Sequence, residues 1–135
     1  MRPETLDAIR AGGVEKGDVL AVARLAAIGG AKRTADTIPL CHPLPLDSVT
    51  VELELDAELP GIRIGVEASV EARTGVEMEA LCGVSAGLLA VYDMCKGMDR
   101  GMQISDIVLV TKQGGRSGAW HRREKSPDKR PDAAG

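Results

Sequence analysis

The apolar residues change their spacing several times along the chain, and each change marks an element. Over residues 3–11 Leu6 and Ile9 fall three apart behind Pro3, and Gly12-Gly13 follows. That is a start, a face and a stop for a short helix. Asp18 is a good N-cap for a second helix, Val-Leu-Ala-Val-Ala-Arg-Leu-Ala-Ala-Ile through Gly29-Gly30, which must end before Pro39. Its small residues suit close packing. From Asp47 the period becomes two. Val49, Val51, Leu53 and Leu55 alternate with polar neighbours, Leu59-Pro60-Gly61 turns the chain, and Ile62, Ile64, Val66, Ala68 and Val70 alternate again. This predicts a β-hairpin.

Thr74-Gly75-Val76-Glu77 has the Thr-x-x-Glu form of a capping box. It predicts a long helix to about Gly97, burying Leu81, Val84, Leu88 and Val91 or Tyr92. Residues 103–112 are rich in β-branched residues and predict a further strand. Residues 113–118 read as a flexible glycine-rich loop. The fold class that follows is α+β, with helices on one face of a small antiparallel sheet. The passage from 62 to 112 fits a split βαβ unit of ferredoxin-like kind. One domain is expected over 1–120, with a polar, disordered tail at 121–135.

Composition refines this in one respect. Of 135 residues only Tyr92 and Trp120 are aromatic, with no Phe. A core without the large burial of aromatic rings predicts self-association. The net charge of −3 is unevenly spread, since residues 116–135 hold six Lys/Arg against three Asp/Glu and residues 1–115 hold 11 against 17. An acidic body without stacking platforms speaks against nucleic-acid binding. No apolar run of about 18 residues lacks a charge, so no membrane partner is expected. Three cysteines, Cys41, Cys82 and Cys95, without disulfide spacing read as reduced thiols in the cytoplasm.

Several residues exceed what the pattern requires. Ile38-Pro39-Leu40-Cys41-His42-Pro43-Leu44 sets a Cys-His pair between prolines, and His42 there is either a directed functional group or a packing histidine. Zinc at Cys41, His42, Cys82 and Cys95 is disfavoured, because no pair has a C-x2-C spacing. Glu77 serves a helix start, whereas Glu79 is less explained. Asp93 and Lys96 share a helix face, as an ordinary i,i+3 ion pair or as an acid–base pair with shifted pKa values. Gly114-Gly115-Arg116-Ser117-Gly118 offers N–H groups and an arginine to phosphate, or is a plain linker.

These strings recur together in order: Lys16-Gly17-Asp18-Val19, Ala31-Lys32-Arg33-Thr34, Ile38 to Leu44, Thr74 to Leu81, Tyr92-Asp93-Met94-Cys95-Lys96 and Gly114 to Gly118. From about residue 3 to Trp120 the chain closely resembles the MoaC family of molybdenum cofactor biosynthesis, the cyclic pyranopterin monophosphate synthases. The resemblance implies a ferredoxin-like subunit assembled as a hexamer, a trimer of dimers. It implies a lyase that rearranges a cyclised dihydroguanosine triphosphate to cyclic pyranopterin monophosphate and releases pyrophosphate. By matching motifs, Asp93, Lys16 and Lys96 are the expected catalytic residues. Leu40, Cys41, His42, Glu77, Met78, Glu79, Lys112 and Arg116 are the expected substrate-binding residues.

No tightly bound cofactor and no protein-held metal are expected, with Mg²⁺ arriving on the triphosphate. Two departures stand out. Family members usually carry a further segment ahead of the position of Met1, with a Met-Val-Asp-Val-like string and an arginine-bearing stretch. Arg116 stands where Lys is common, which keeps the charge and changes the donor geometry. If that leading segment is essential, the alternative is a non-catalytic oligomeric nucleotide-binding protein of the same fold.

Overall fold

Two helices lie across one face of a two-stranded antiparallel hairpin. The computed structural model describes residues 1–124. The elements run α1 (Pro3–Arg10), α2 (Val19–Lys32), α3 (Thr34–Thr37), β1 (Ser48–Asp56), β2 (Gly61–Ser69), α4 (Glu77–Cys95), β3 (Thr111–Lys112) and β4 (Trp120–His121). β1 and β2 pair with Val49 opposite Ala68, Val51 opposite Val66, Leu53 opposite Ile64 and Leu55 opposite Ile62. The alternation read from the sequence thus fixes the register: every inward residue of one strand faces an inward residue of the other. α2 packs over β1, α4 over β2, and the two helices against each other. The architecture is α+β, as expected.

The helix–helix contact is made by small residues. Gly30 lies over Cys82 and Ala86, Gly83 over Ala27 and Ala31, and Gly87 over Ala23 and Ala27, so the helices run antiparallel. A Cβ on Gly30 would stand 2.6 Å from the Ala86 Cβ and 2.9 Å from the Cys82 carbonyl oxygen. Close approach of the backbones replaces the burial that large side chains supply elsewhere. This corrects the expected face of α4. Leu81, Val84 and Leu88 are only half-buried, while Gly83, Gly87, Val91, Met94 and Cys95 are buried. Side-chain size was the wrong guide, because the tightest packing goes to residues that let two backbones meet.

The core proper sits at the other end of the α2–α4 pair, where Leu6, Ile9, Val14, Val19, Val91, Met94 and Cys95 cluster with Ile62. α4 has the length and hydropathy to cross a membrane. In this fold it has α2 on one side and β2 on another, which accounts for part of its apolar length.

Three local expectations differ. The capping box does not form: the N-cap of α4 is Val76, without a side-chain cap bond, and the Thr74 hydroxyl donates to the Gly75 carbonyl. The helix begins too late for Thr74 to reach its first turn. The strand expected over 103–112 is reduced to Thr111–Lys112, paired with Trp120–His121. Asp106 there has a φ of 54°, a left-handed conformation that interrupts an extended run. A cleft of about 870 Å³ also separates Ile104, Ile107 and Val108 from Ile62 and Ile64 of β2. Finally, His121 at the head of the expected tail pairs with Thr111, and residues 125–135 of that tail lie outside the described residues.

Candidate functional site

The last turn of α4 presents Asp93 and Lys96 on one face, the i,i+3 relation read from the sequence. Lys96 Nζ lies 2.8 Å from Asp93 Oδ1. A second lysine arrives from far away in sequence. After α1 the chain passes Gly12-Gly13 and the buried Val14, and Gly17 turns it with a φ of +119°. A side chain rarely adopts that conformation, so glycine is required at the bend. Lys16, just before it, donates to Asp93 Oδ2 at 3.3 Å and to the Asp93 backbone carbonyl at 3.1 Å.

One carboxylate therefore bridges two ammonium groups. The Lys96 hydrogen bond, and then that of Lys16, hold the Asp93 carboxyl below the usual aspartate range. An acid at a helix C-terminus opposes the helix dipole, and the two lysines offset that. All three side chains remain open to solvent, at 59% exposure for Asp93, 50% for Lys16 and 42% for Lys96. The cluster sets proton donors beside an ionised acceptor, at a surface a ligand can reach.

A second cluster lies at the other end of the same helix. Glu77 opens α4 and accepts from Lys112 of β3 at 3.1 Å. This is the more enclosed pair, with Lys112 14% exposed and Glu77 30%. The Glu77 carboxyl is held below its ordinary value by its own backbone N–H, against the opposing effect of burial, and then by Lys112. Lys112 also donates to the Ser117 hydroxyl. The glycine-rich loop lies over the start of α4, where a Cβ on Gly115 would stand 3.4 Å from the Gly75 nitrogen. Gly114 and Gly115 have φ of +76° and +71°, so the sharp fold-back of this loop needs glycine. Arg116 is exposed at its tip. Met78 is 37% exposed, and Glu79 is buried at 6% with no ion pair among the described residues.

The fold does not bring all candidates together. Glu79 and Asp93 lie on one helix, about 21 Å apart along its axis at 1.5 Å per residue. Leu40 is 94% exposed, His42 exposed and Cys41 half-exposed. None of these three has a side-chain hydrogen bond to either cluster among the described residues. Cys41, Cys82 and Cys95 are free thiols, and burial pushes the Cys95 thiol up. Among the described residues no three His, Cys, Asp or Glu converge as metal ligands. The cleft beside β2 includes Tyr92 but none of the charged residues of the two clusters.

Sequence reasoning passed over two side chains that the structure ties to other elements, Ser117 to Lys112 of β3 and Asp99 to the start of α1. Ser117 was visible only as part of a loop string. Asp99 gave no signal, because its partners Arg2 and Thr5 are 97 and 94 residues away.

The model of the MoaC family matches residues 1–115. The chain is 62% identical over 120 residues to a cyclic pyranopterin monophosphate synthase of Methylobacterium sp. (strain 4-46), covering 89% of this chain and 75% of that protein. The matched span includes both lysine–carboxylate clusters and the segment from Leu40 to His42. This chain belongs to the MoaC family.

Proposed function

We propose that this protein is a lyase of molybdenum cofactor biosynthesis, converting the cyclised dihydroguanosine triphosphate to cyclic pyranopterin monophosphate with release of pyrophosphate. The observation that carries this reading is the Asp93 carboxylate bridged by Lys16 and Lys96, in a chain 62% identical to a protein of that activity. The rearrangement moves protons on and off the purine-derived ring. Closing the cyclic phosphate forms a bond from a substrate hydroxyl oxygen to the α-phosphorus. The bond from that phosphorus to pyrophosphate breaks, the electron pair leaves with pyrophosphate, and the hydroxyl proton passes to a base. Ammonium groups beside an ionised carboxylate suit both donation and acceptance.

Lys112 and Arg116, at the far end of α4, suit the phosphates, because a polyanion needs cations concentrated against an otherwise acidic body. Leu40, Cys41, His42, Met78 and Glu79 form the remaining walls of the substrate site in this reading. Mg²⁺ enters as part of the triphosphate substrate.

The same reading makes the working form a homo-oligomer, a hexamer of three dimers in the cytoplasm. Two features of the chain support assembly. The clusters stand at opposite ends of one helix and open to solvent. The outer faces of α2 and α4 also expose Leu25 at 70% and Leu89 at 60%, beyond an aromatic-poor core.

The test is turnover of the cyclised triphosphate by the purified chain, followed as pyrophosphate release and product formation. Activity that disappears in Asp93→Asn supports the lyase. Tight binding of the triphosphate with no turnover by a folded protein establishes the binding protein instead.

A further inference from the structure

Asp99 lies in the turn after α4, with its side chain only 5% exposed. Its Oδ2 accepts the Arg2 backbone N–H at 2.8 Å and the Thr5 hydroxyl at 3.0 Å, and Arg2 Nε stands 3.9 Å from Oδ1. The Arg2 guanidinium also donates to the Met98 carbonyl. α1 needs these contacts, because its own N-cap residue, Arg2, supplies no side-chain cap bond. Asp99 acts as the carboxylate of a capping box acts, bonding the N-cap N–H, but it does so from across the fold. Its charge also suits the positive end of the helix.

The other end of the same segment returns to the same place. α1 leads through Val14 to Lys16, and Lys16 bonds Asp93. Residues 2–16 are thus a strap fastened at both ends to one short stretch, Asp93–Asp99. Leu6, Ile9 and Val14 fill the space between. Apolar contacts of that kind are non-directional and leave a short helix free to slide or turn. The bonds to Asp99 have fixed lengths and angles, and they set the register. The Lys16–Asp93 distance of 3.3 Å is at the long end for a hydrogen bond, so a small displacement of α1 breaks it.

We propose that Asp99 is a positioning residue for the reaction: by fastening the start of α1, it sets where the Lys16 ammonium stands against Asp93. This rests on the reading above that Lys16 and Asp93 act in the conversion. Misplacement of a reacting group by about 1 Å costs up to roughly a hundredfold in rate. Asp99→Ala is therefore expected to lower kcat about ten- to a hundredfold and to change KM less than about twofold. Asp99→Asn keeps one acceptor oxygen and restores most of the rate. Adding Asp99→Ala to Lys16→Ala lowers kcat no further, because both changes remove the same contact. A merely structural role gives losses that multiply, and that result overturns the proposal, as does a normal kcat in Asp99→Ala.

Should Asp99→Ala not fold, Thr5→Val, which removes one of the two bonds to Asp99 Oδ2, carries the same comparison with Lys16→Ala. A second readout does not need turnover. The Asp93 carboxyl, followed by carbon NMR through a pH titration, is expected to shift upward in the folded Asp99→Ala or Thr5→Val variant, toward its midpoint in Lys16→Ala. An unmoved midpoint overturns the proposal. A wild-type protein that does not convert the cyclised triphosphate counts against the proposed function alone, and the titration still decides the role of Asp99.

Discussion

Lys16 and Asp93 are 77 residues apart in sequence, yet the lysine ammonium meets both the carboxylate and the backbone carbonyl of the aspartate. The contact ties the loop after the first helix to the end of the longest one. Lys16→Ala is expected to lower turnover about a hundredfold or more with the fold intact. Circular dichroism and pyrophosphate release on the same sample check it. Near-normal turnover makes Lys16 an ordinary exposed loop lysine.

The pH dependence of that contact has a definite sign. The Asp93 carboxyl lies below the ordinary aspartate range, through Lys96 first and Lys16 second. A depressed carboxyl is ionised throughout the range above the unfolded value of about 4, and its ion pairs are lost only as pH falls through the still lower folded value. Any acidic limb of activity between pH 5 and 8 therefore belongs to another group. The Asp93 carboxyl resonance, followed by carbon NMR, is expected to stay at its ionised position from pH 8 down to pH 5. A titration of that carboxyl near neutrality overturns the assignment.

Gly29 and Gly30 are neighbours on α2 with opposite surroundings. A Cβ on Gly29 meets nothing within 4 Å, whereas one on Gly30 meets Ala86 and the Cys82 carbonyl at 2.6 and 2.9 Å. Gly30→Ala must push α4 away and is expected to cost about 1–3 kcal/mol. Gly29→Ala only removes the backbone freedom of a helical glycine, and is expected to be neutral or to stabilise by about 0.5–1 kcal/mol. Denaturant melts of the two variants check the contrast.

That contrast also shows what a reader of the sequence can and cannot see. The hairpin was legible because a two-residue alternation has one reading once one face is wet, and Val51 opposite Val66 follows from it. The helices were legible from Pro3, Asp18 and the apolar run before Asp93. The packing of α4 was not, because hydrophobic pattern ranks side chains by size, and here glycines make the closest contacts. Of the site, Asp93 with Lys96 was readable as a local i,i+3 pair. Lys16 and Lys112 rested on whole strings resembling a family, and their contacts with Asp93 and Glu77, 77 and 35 positions away, follow from no local rule. Asp99 was illegible for the same reason: an aspartate in a turn looks alike whether it faces water or caps a distant helix.

The Glu77–Lys112 pair is expected to hold the glycine-rich loop against the start of α4. Glu77→Ala leaves Lys112, 14% exposed, without its carboxylate. Loss of that partner is expected to loosen residues 113–118, so trypsin should cut after Arg116 severalfold faster than in the unaltered protein. The sign with pH is the same as for Asp93: Glu77 lies below the usual glutamate range, so the loop holds above about pH 4.5 and loosens as the medium becomes more acid. Unchanged cleavage in Glu77→Ala shows that the loop is held by its own turns.

A reaction that needs both Glu79 and Asp93 must draw on both ends of α4. Glu79 and Asp93 are about 21 Å apart along α4, too far for one small reacting centre, although a triphosphate tail spans part of that length. Glu79 is buried and without an ion pair among the described residues, whereas Asp93 is bridged by two lysines at an exposed surface, so the two residues do not meet within one subunit. A twofold-related neighbour would resolve this by laying the start of its α4 against the end of the other, creating two equal composite sites. Glu79→Gln and Asp93→Asn subunits, each inactive alone, should then complement. Random pairing makes half the dimers mixed, and each mixed dimer has one site with both changes and one with neither, so co-expression should restore up to roughly a quarter of wild-type activity. Activity assays on the co-expressed mixture, with native mass spectrometry to count mixed dimers, check it. If mixed dimers form and stay inactive, Glu79 and Asp93 do not share a site across the interface, and each chain must do the chemistry with one end of its helix.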